Sequence, residues 1–142
     1  MKRVAQAVLA AVLLAVTIAP VGAEHEVYYR YVVLGYVKDA KGKPVRGRAV
    51  EVVRDKTRFS YLGETDPRGF FVVVTRLGDE SNGETLTVKV GGASTRLVAH
   101  FDPANHTDNR GTRVDLDGTK FVERPAWFAS SLAQYLGTVS TR

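Results

Sequence analysis

The sequence predicts an all-β fold, a seven-stranded antiparallel β-sandwich, on the strength of three observations. Short runs rich in Val, Tyr, Thr and Phe recur between residues 27 and 117, and these residue types suit a pleated, half-buried surface. Gly, Pro, Asp and Asn separate the runs. No helical period lies between them, which favours a sandwich over an α/β fold. The seven predicted strands are residues 27–38, 48–54, 57–64, 70–77, 85–90, 93–101 and 113–117.

Residues 1–23 have the layout of a secretory signal peptide. A positive start at Lys2 and Arg3 precedes a mostly apolar run, and Ala23 ends a stretch of small residues. An uncleaved anchor is the competing interpretation, but the run is short against the roughly 20 residues that a spanning helix needs, and Pro20 interrupts its end. The sequence therefore predicts cleavage after Ala23, no transmembrane segment in the mature chain, and an exported protein that is periplasmic or secreted.

The first two predicted strands differ in how they are buried. Residues 27–38 carry Val33 and Val37 on one face and Leu34 on the other, so we expect a strand that is partly covered on both sides. Residues 48–54 alternate between the two faces, which indicates a strand.

The third and fourth predicted strands follow as a pair. Residues 57–64 place Phe59 and Tyr61 on one face of a strand. Residues 70–77 are an almost continuous apolar run, which is typical of the interior of a sandwich.

The last three predicted strands include one hairpin. Residues 85–90 alternate most regularly, and Gly91 and Gly92 then form a two-residue turn into residues 93–101. These two strands are therefore predicted to be antiparallel neighbours. After a longer loop, residues 113–117 alternate again and complete the seven.

Four turn residues are predicted to be structural, because a tight turn needs each residue type. Gly42 and Pro44 shape the connection between the first and second strands. Between the third and fourth strands, Asp66 can accept hydrogen bonds from the backbone ahead, and Gly69 can adopt a positive φ.

Residues 119–142 are predicted to form a C-terminal extension with a short amphipathic helix. Pro125 suits the first helical position, and Gly137 suits the residue past the last. One apolar stripe contains Phe128, Leu132, Tyr135 and Leu136, with Trp127 beside it. About a dozen residues do not hold a helix in water alone, so the stripe must be buried on the protein itself, on a partner or at a membrane surface. Membrane binding is the weakest of the three, because no lysine lies between Pro125 and Gly137.

Composition and motifs exclude several classes of function. The chain has no cysteine, which excludes disulfides, thiol catalysis and iron–sulfur clusters. Loss of Lys2 and Arg3 with the leader would lower the net charge from +5 to about +3, which is too mild to indicate a nucleic-acid partner. The sequence has no Gly-x-Ser-x-Gly elbow, phosphate loop or dinucleotide fingerprint. No cofactor is predicted.

Three segments together resemble one known family. Residues 35–45 (GYVKDAKGKPV), 49–52 (AVEV) and 65–71 (TDPRGFF) resemble the carboxypeptidase regulatory-like domain family. Members of that family share a transthyretin-like (prealbumin-like) seven-stranded sandwich. The resemblance covers about residues 27–101 and implies no catalytic residues. The length of the mature chain predicts a single domain, which we place at residues 24–118.

A histidine and carboxylate cluster is a candidate metal site. His100, Asp102 and His106, with Asp108 nearby, offer the nitrogen and oxygen ligands that zinc or copper bind. Their spacing is not a recognised ligand signature. The structural alternative is an outward-facing strand residue, His100, followed by a polar loop that tolerates His106.

Two aromatic clusters are candidate binding surfaces. The first contains Tyr28, Tyr29, Arg30 and Tyr31, and the second contains Trp127, Phe128 and Tyr135. Tyr, Trp and Arg are enriched at interfaces because partial burial favours them. The alternative for the first cluster is a set of aromatic side chains that only covers the sheet.

The sequence thus predicts an exported, non-enzymatic binding or assembly module, an accessory or adaptor of an envelope protein or complex. Its predicted partner is another envelope protein or a carbohydrate, and its oligomeric state is left open. The alternative is a small metal-binding or hydrolytic protein, because the transthyretin-like fold also carries 5-hydroxyisourate hydrolase. That family ends in Tyr-Arg-Gly-Ser, whereas residues 138–142 read TVSTR here.

Overall fold

The computed structural model describes residues 29–140, and within them the chain is mostly β. The strands are β1 (Arg30–Lys38), β2 (Ala49–Arg54), β3 (Phe59–Glu64), β4 (Phe70–Arg76), β5 (Thr85–Val90), β6 (Ala93–Val98), β7 (Gly111–Asp117) and β8 (Lys120–Glu123). Short 3-10 helices cover Asp79–Ser81 and Pro125–Trp127, and the helix α1 covers Phe128–Ser140. The predicted signal peptide, its cleavage point and Tyr28 lie outside the described residues.

The strands form two four-stranded sheets. The first sheet has the order β4-β1-β7-β8, and the second has the order β3-β2-β5-β6. One apolar core holds buried residues from both sheets, so the two layers pack face to face. The predicted β-sandwich with a short C-terminal helix is confirmed at this level.

Two details of the predicted fold are wrong. The described chain has eight strands, because β8 lies in the predicted extension and pairs with β7 through a two-residue turn at Gly118, where φ is 67°. The sandwich is also not wholly antiparallel. β1 and β7 run parallel, with Val32 opposite Gly111 and Val37 opposite Leu116.

The predicted strand positions agree well with the structure, and the ends differ by a few residues. β5 has the predicted bounds, and the Gly91-Gly92 turn brings Val90 opposite Ala93. β6 ends at Val98 instead of residue 101, whereas β7 begins at Gly111, two residues before the predicted start.

The inter-sheet core follows from period-2 alternation in both sheets. The first sheet contributes Tyr31, Val33, Val37, Phe71, Val73, Val114 and Leu116, and the second contributes Val50, Val52, Leu86, Val88, Val90 and Leu97. Full burial of such side chains stabilises the fold by about 1.5–3 kcal/mol each.

β1 is buried on both faces, as its sequence predicts. Its inner face lies in the inter-sheet core, while Val32 and Leu34 on its outer face pack under Phe128 and Leu132 of α1. Phe70 of β4 completes this second apolar cluster. The helix therefore docks on its own sheet, which supplies the burial that a 13-residue helix needs.

The start and end of α1 differ from the prediction. Pro125 occupies the first position of the 3-10 turn that precedes α1, where its missing N–H costs nothing. Gly137 lies inside α1 and not past its end. No helix among residues 29–140 combines the length and the apolar character that crossing a membrane requires.

The two sequence-predicted turns are built from side chain to backbone hydrogen bonds. Asp66 Oδ1 accepts hydrogen bonds from the backbone N–H groups of Arg68 (2.8 Å) and Phe70 (3.0 Å). Gly69 has a φ of 79°, and Gly42 in the earlier turn has a φ of 80°. Pro44 forms an isolated bridge with β1.

Replacing Gly69 by alanine should destabilise the protein by more than about 1 kcal/mol. The reason is that an alanine Cβ at this left-handed position would lie 2.4 Å from the backbone oxygen of Val37. Urea unfolding monitored by far-UV circular dichroism measures the change. Gly92→Ala is the matched control, because nothing lies within 4 Å of a Cβ there. Equal stability of the two variants would contradict the turn assignment.

Candidate binding surface

The first aromatic cluster does not form one exposed surface. Tyr31 faces inward and is buried in the inter-sheet core, with its ring 6.1 Å from that of Phe101. Burial is the main cause that raises the pKa of Tyr31 to about 12, with the nearby charge of Glu123 adding to it. Tyr29 and Arg30 are exposed. The prediction that Tyr31 contacts a partner is therefore wrong.

The second aromatic cluster divides between the core and the solvent. Phe128 is buried, and Tyr135 is half-buried beside Phe70, with 5.7 Å between the ring centroids. Trp127 remains 51% exposed. Of the three aromatic residues predicted at the C-terminus, only Trp127 is exposed.

A buried carboxylate fixes the chain around Trp127. Asp115 lies on the outer face of β7 and is only 3% exposed. Its carboxylate forms ion pairs with Arg113 (3.0 Å) and with Arg124, and it accepts a 2.9 Å hydrogen bond from the backbone N–H of Tyr36. Gly35 permits this approach of β1 to β7, because a Cβ there would lie 1.7 Å from the oxygen of Val114.

The two arginines that share Asp115 also hold the indole of Trp127. The guanidinium carbons of Arg113 and Arg124 lie 5.1 Å and 5.2 Å from the ring centroid of Trp127. Arg113 also donates a 3.0 Å hydrogen bond from Nη1 to Ser131 Oγ of α1. We call this unit, made of Arg113, Asp115, Arg124 and Trp127, the tryptophan clasp.

The clasp continues as a row of rings across the outer face of the first sheet. The guanidinium carbon of Arg113 lies 4.9 Å from the ring centroid of Tyr36, and the rings of Tyr36 and Phe70 are 4.9 Å apart. These contacts fix the rotamers of the polar side chains around Trp127. Chemically, the clasp offers an apolar ring face beside guanidinium edges, which suits binding by stacking and hydrogen bonding.

Sequence reasoning missed Arg113, Asp115 and Arg124. The alternation of β7 did contain a signal, because inward Val114 and Leu116 place Arg113 and Asp115 on the opposite face.

The structure does not assemble the predicted metal ligands. His100 is exposed, and Asp102 Oδ1 accepts a 3.0 Å hydrogen bond from the N–H of Ala104. His106 Nε2 lies 3.1 Å from Asp79 Oδ2. No group of three or more His, Cys, Asp or Glu side chains among the described residues is placed to hold a metal ion. The described residues therefore give the metal-site prediction no support.

The loop of residues 102–110 is held instead by a buried arginine. Arg110 forms a 2.8 Å ion pair with Asp79, and its guanidinium carbon lies 4.3 Å from the ring centroid of Phe101. The hydrogen bond to Arg110 is the main cause that lowers the pKa of Asp79, and His106 acts in the same direction. Asp79 thus anchors a loop, which explains the charged residues here without a ligand.

A second ion pair supports the 3-10 turn that carries Asp79. Arg54 of β2 binds Glu84 with Nε and Nη2, both at 2.7 Å, and its Nη2 donates a 3.1 Å hydrogen bond to Ser81 Oγ. The hydrogen bond to Arg54 is the main cause that lowers the pKa of Glu84 from 4.5 to about 2.

An open groove runs beside α1 on the side away from the clasp. Its lining residues are Thr107, Asp108, Asn109, Phe128, Ala129, Leu132, Ala133 and Leu136. Three of them, Phe128, Leu132 and Leu136, come from the apolar stripe of α1, and Leu136 is 49% exposed. The outer face of the first sheet therefore carries two surfaces, one on each side of α1.

Asp115→Asn should destabilise the protein by about 3 kcal/mol, because it removes the buried charge that two guanidinium groups share. Trp127 fluorescence during urea unfolding measures both the stability and the loss of the clasp. Asp117→Asn is the control, because Asp117 is exposed and lies 3.7 Å from Arg124. That variant should stay within about 0.5 kcal/mol of the wild type. A small effect of Asp115→Asn would show that the carboxylate does not support the clasp.

Protonation of Glu84 should destabilise the protein as the pH falls from about 4.5 to about 2. Because the folded-state pKa is lowered, the stabilisation is complete above the unfolded pKa and is lost as the pH falls through the folded pKa. The loss should be about 2 kcal/mol, from urea unfolding at a series of pH values. Glu84→Gln should remove this part of the pH dependence and should be less stable at neutral pH. Parallel curves for the two proteins would refute the assignment.

Two comparisons bear on whether this chain belongs to a known family. No protein-family model matches this chain, and no curated protein matches it. The resemblance to the carboxypeptidase regulatory-like domains therefore stays a prediction from the turn motifs, and function has to be inferred from the chain's own residues.

Proposed function

We propose that this chain is an exported, non-enzymatic binding module that holds another envelope protein on the outer face of its first sheet. Export rests on the signal-peptide layout of residues 1–23. The single observation that carries the binding role is the tryptophan clasp, in which a half-exposed indole is held rigidly by two arginines.

A tryptophan that is exposed and already held in one rotamer can bind a partner with little loss of conformational entropy. Trp and Arg are the residues that most often dominate the free energy of protein–protein binding. A side chain whose rotamer is already set loses less conformational entropy on association, so more of its contact energy appears as affinity. In the clasp, Asp115 fixes both guanidinium groups and the guanidinium groups fix the ring, so the whole unit is pre-organised.

The proposed fold family agrees with an accessory role. The turns at Gly42 and Gly69 both adopt left-handed φ values, as the resemblance to the carboxypeptidase regulatory-like domains requires of turn motifs. Members of that family bring no catalytic residues to these positions. The metal-binding alternative is not favoured, because the described chain keeps His100, Asp102 and His106 in separate contacts.

A protein partner is preferred to a carbohydrate, because the exposed apolar surface extends beyond one ring. Val74 of β4 and Leu136 of α1 are also about half exposed on the same face of the sheet. One sugar ring would cover Trp127 and leave these residues in water.

Trp127→Ala should abolish capture of a stoichiometric partner from the native envelope and should leave the fold intact. The test is quantitative affinity purification of the tagged mature chain, with far-UV circular dichroism to confirm folding. Phe59→Ala is the matched control, because Phe59 is 59% exposed but lies on β3 of the other sheet. Capture should be lost only in the Trp127 variant. Equal capture by both variants, or the absence of any stoichiometric companion for the wild type, would refute the proposal.

A further inference from the structure

Two arginines lie directly opposite each other at one end of the first sheet. Arg30 of β1 and Arg76 of β4 are Cα partners in the antiparallel register, and both project from the outer face. Both are exposed. Within residues 29–140, neither guanidinium has a hydrogen bond or an ion pair.

Like charges directly across a pair of strands destabilise a sheet. Arg113 and Arg124 on this face both form ion pairs with Asp115. Arg30 and Arg76 differ because the described chain offers them no acidic neighbour across the strands. An anion placed between them would relieve the repulsion and could accept hydrogen bonds from both guanidinium groups.

Apolar residues follow the arginine pair along both strands. The next residues on the same face, two positions along each strand, are the cross-strand partners Val32 and Val74. Val32 is covered by α1, whereas Val74 is 48% exposed. Val32 packs with Leu132, which lines the groove beside α1 together with Leu136. We call Arg30, Arg76, Val74 and this groove the arginine-pair patch.

We infer that the arginine-pair patch receives an acidic, amphipathic segment of a partner protein. Carboxylates of the segment would bind Arg30 and Arg76, and its apolar side chains would cover Val74 and Leu136. Asp108 is the only acidic residue that lines the described groove, and its Oδ2 accepts a 2.8 Å hydrogen bond from the Asn105 amide. This inference rests on the proposed function, whose partner it describes by its chemistry.

A partner protein fits the patch better than an anionic lipid surface. Lipid recognition by charge uses clusters of roughly four to eight basic residues, and the patch has two. The helix beside it, with the sequence FASSLAQYLGTVS, has no charged residue. The charge is therefore concentrated at one point, as suits one or two carboxylates.

The test uses a short synthetic peptide in which Leu and Glu alternate, titrated into the ¹⁵N-labelled chain that begins at Glu24. Amide shifts should change around Arg30, Val74, Arg76 and Leu136, and the response should weaken at higher salt. Arg30→Gln combined with Arg76→Gln should weaken binding at least about threefold. Arg58→Gln combined with Arg96→Gln is the control, because it removes the same charge from exposed sites elsewhere and should change nothing.

Four outcomes would overturn the inference. The first is that no localised amide shift occurs, and the second is an equal response to a peptide with Lys in place of Glu. The third is equal peptide binding by the two double variants. The fourth is stronger peptide binding by a chain that begins at Tyr29, which would make residues 24–28 the natural occupant of the patch. Binding of anionic phosphatidylglycerol vesicles that depends on Arg30 and Arg76, without a peptide response, would assign the patch to lipid instead.

The peptide titration and the Trp127 capture experiment test different claims, so failure of one can be distinguished from failure of the other. Peptide binding that depends on Arg30 and Arg76 supports the inference of an acidic partner segment, even if Trp127→Ala still captures a partner. In that case only the proposal that Trp127 anchors the partner is wrong. Loss of capture in Trp127→Ala, with no charge dependence at the arginine pair, refutes the acidic segment alone.

Discussion

The shared carboxylate of Asp115 is the interaction on which the outer face of this protein depends. It is almost completely buried, and it binds two guanidinium groups and one backbone N–H. A buried carboxylate without partners would cost several kcal/mol, so the geometry of all three donors is constrained together. One donor is on β7, one lies just before the 3-10 turn, and one is the backbone of β1. The residue thus ties the C-terminal segment to the two central strands of the first sheet.

The docked helix explains why β1 is apolar on both faces. An edge or surface strand has one polar face, but β1 is the strand over which α1 lies. The second sheet has no such cover, and its outer face carries polar cross-strand pairs such as Glu51 with Lys89 and Thr87 with Arg96. The alternation of polar and apolar residues along the strands therefore reflects the difference between the two outer faces. The second sheet also exposes Leu62 and Val98, but among the described residues only the first sheet has a helix packed over its outer face.

Local features of the fold were predictable from the sequence, and non-local ones were not. The alternation of residues 85–90 and the turn at Gly69 depend on neighbours along the chain, and both agree with the structure. β8 was missed because four residues with two apolar side chains give too weak a period. The parallel pairing of β1 with β7 is set by how distant strands assemble, which no local pattern encodes.

The site was predicted less well than the fold, for the same physical reason. Tyr31 shares the parity of Val33 and Val37, so period 2 already placed it in the core, but its aromatic neighbours in sequence suggested a surface. Trp127 was identified as a candidate, and its arginine partners were not. Arg113 could be placed on an outer face from the sequence, but its contact with Trp127 depends on where the C-terminal segment docks.

The two surfaces on either side of α1 are physically coupled, because both exist only while α1 is docked. Phe128 and Leu132 hold the helix on Val32 and Leu34, and Arg113 holds it through Ser131. If the helix left the sheet, Trp127 would lose its clasp and the groove would lose one wall. A ligand that binds either surface therefore stabilises the docked helix by mass action, and through it the other surface. A partner that contacts both surfaces would bind more tightly, because its first contact already favours the docked position of α1.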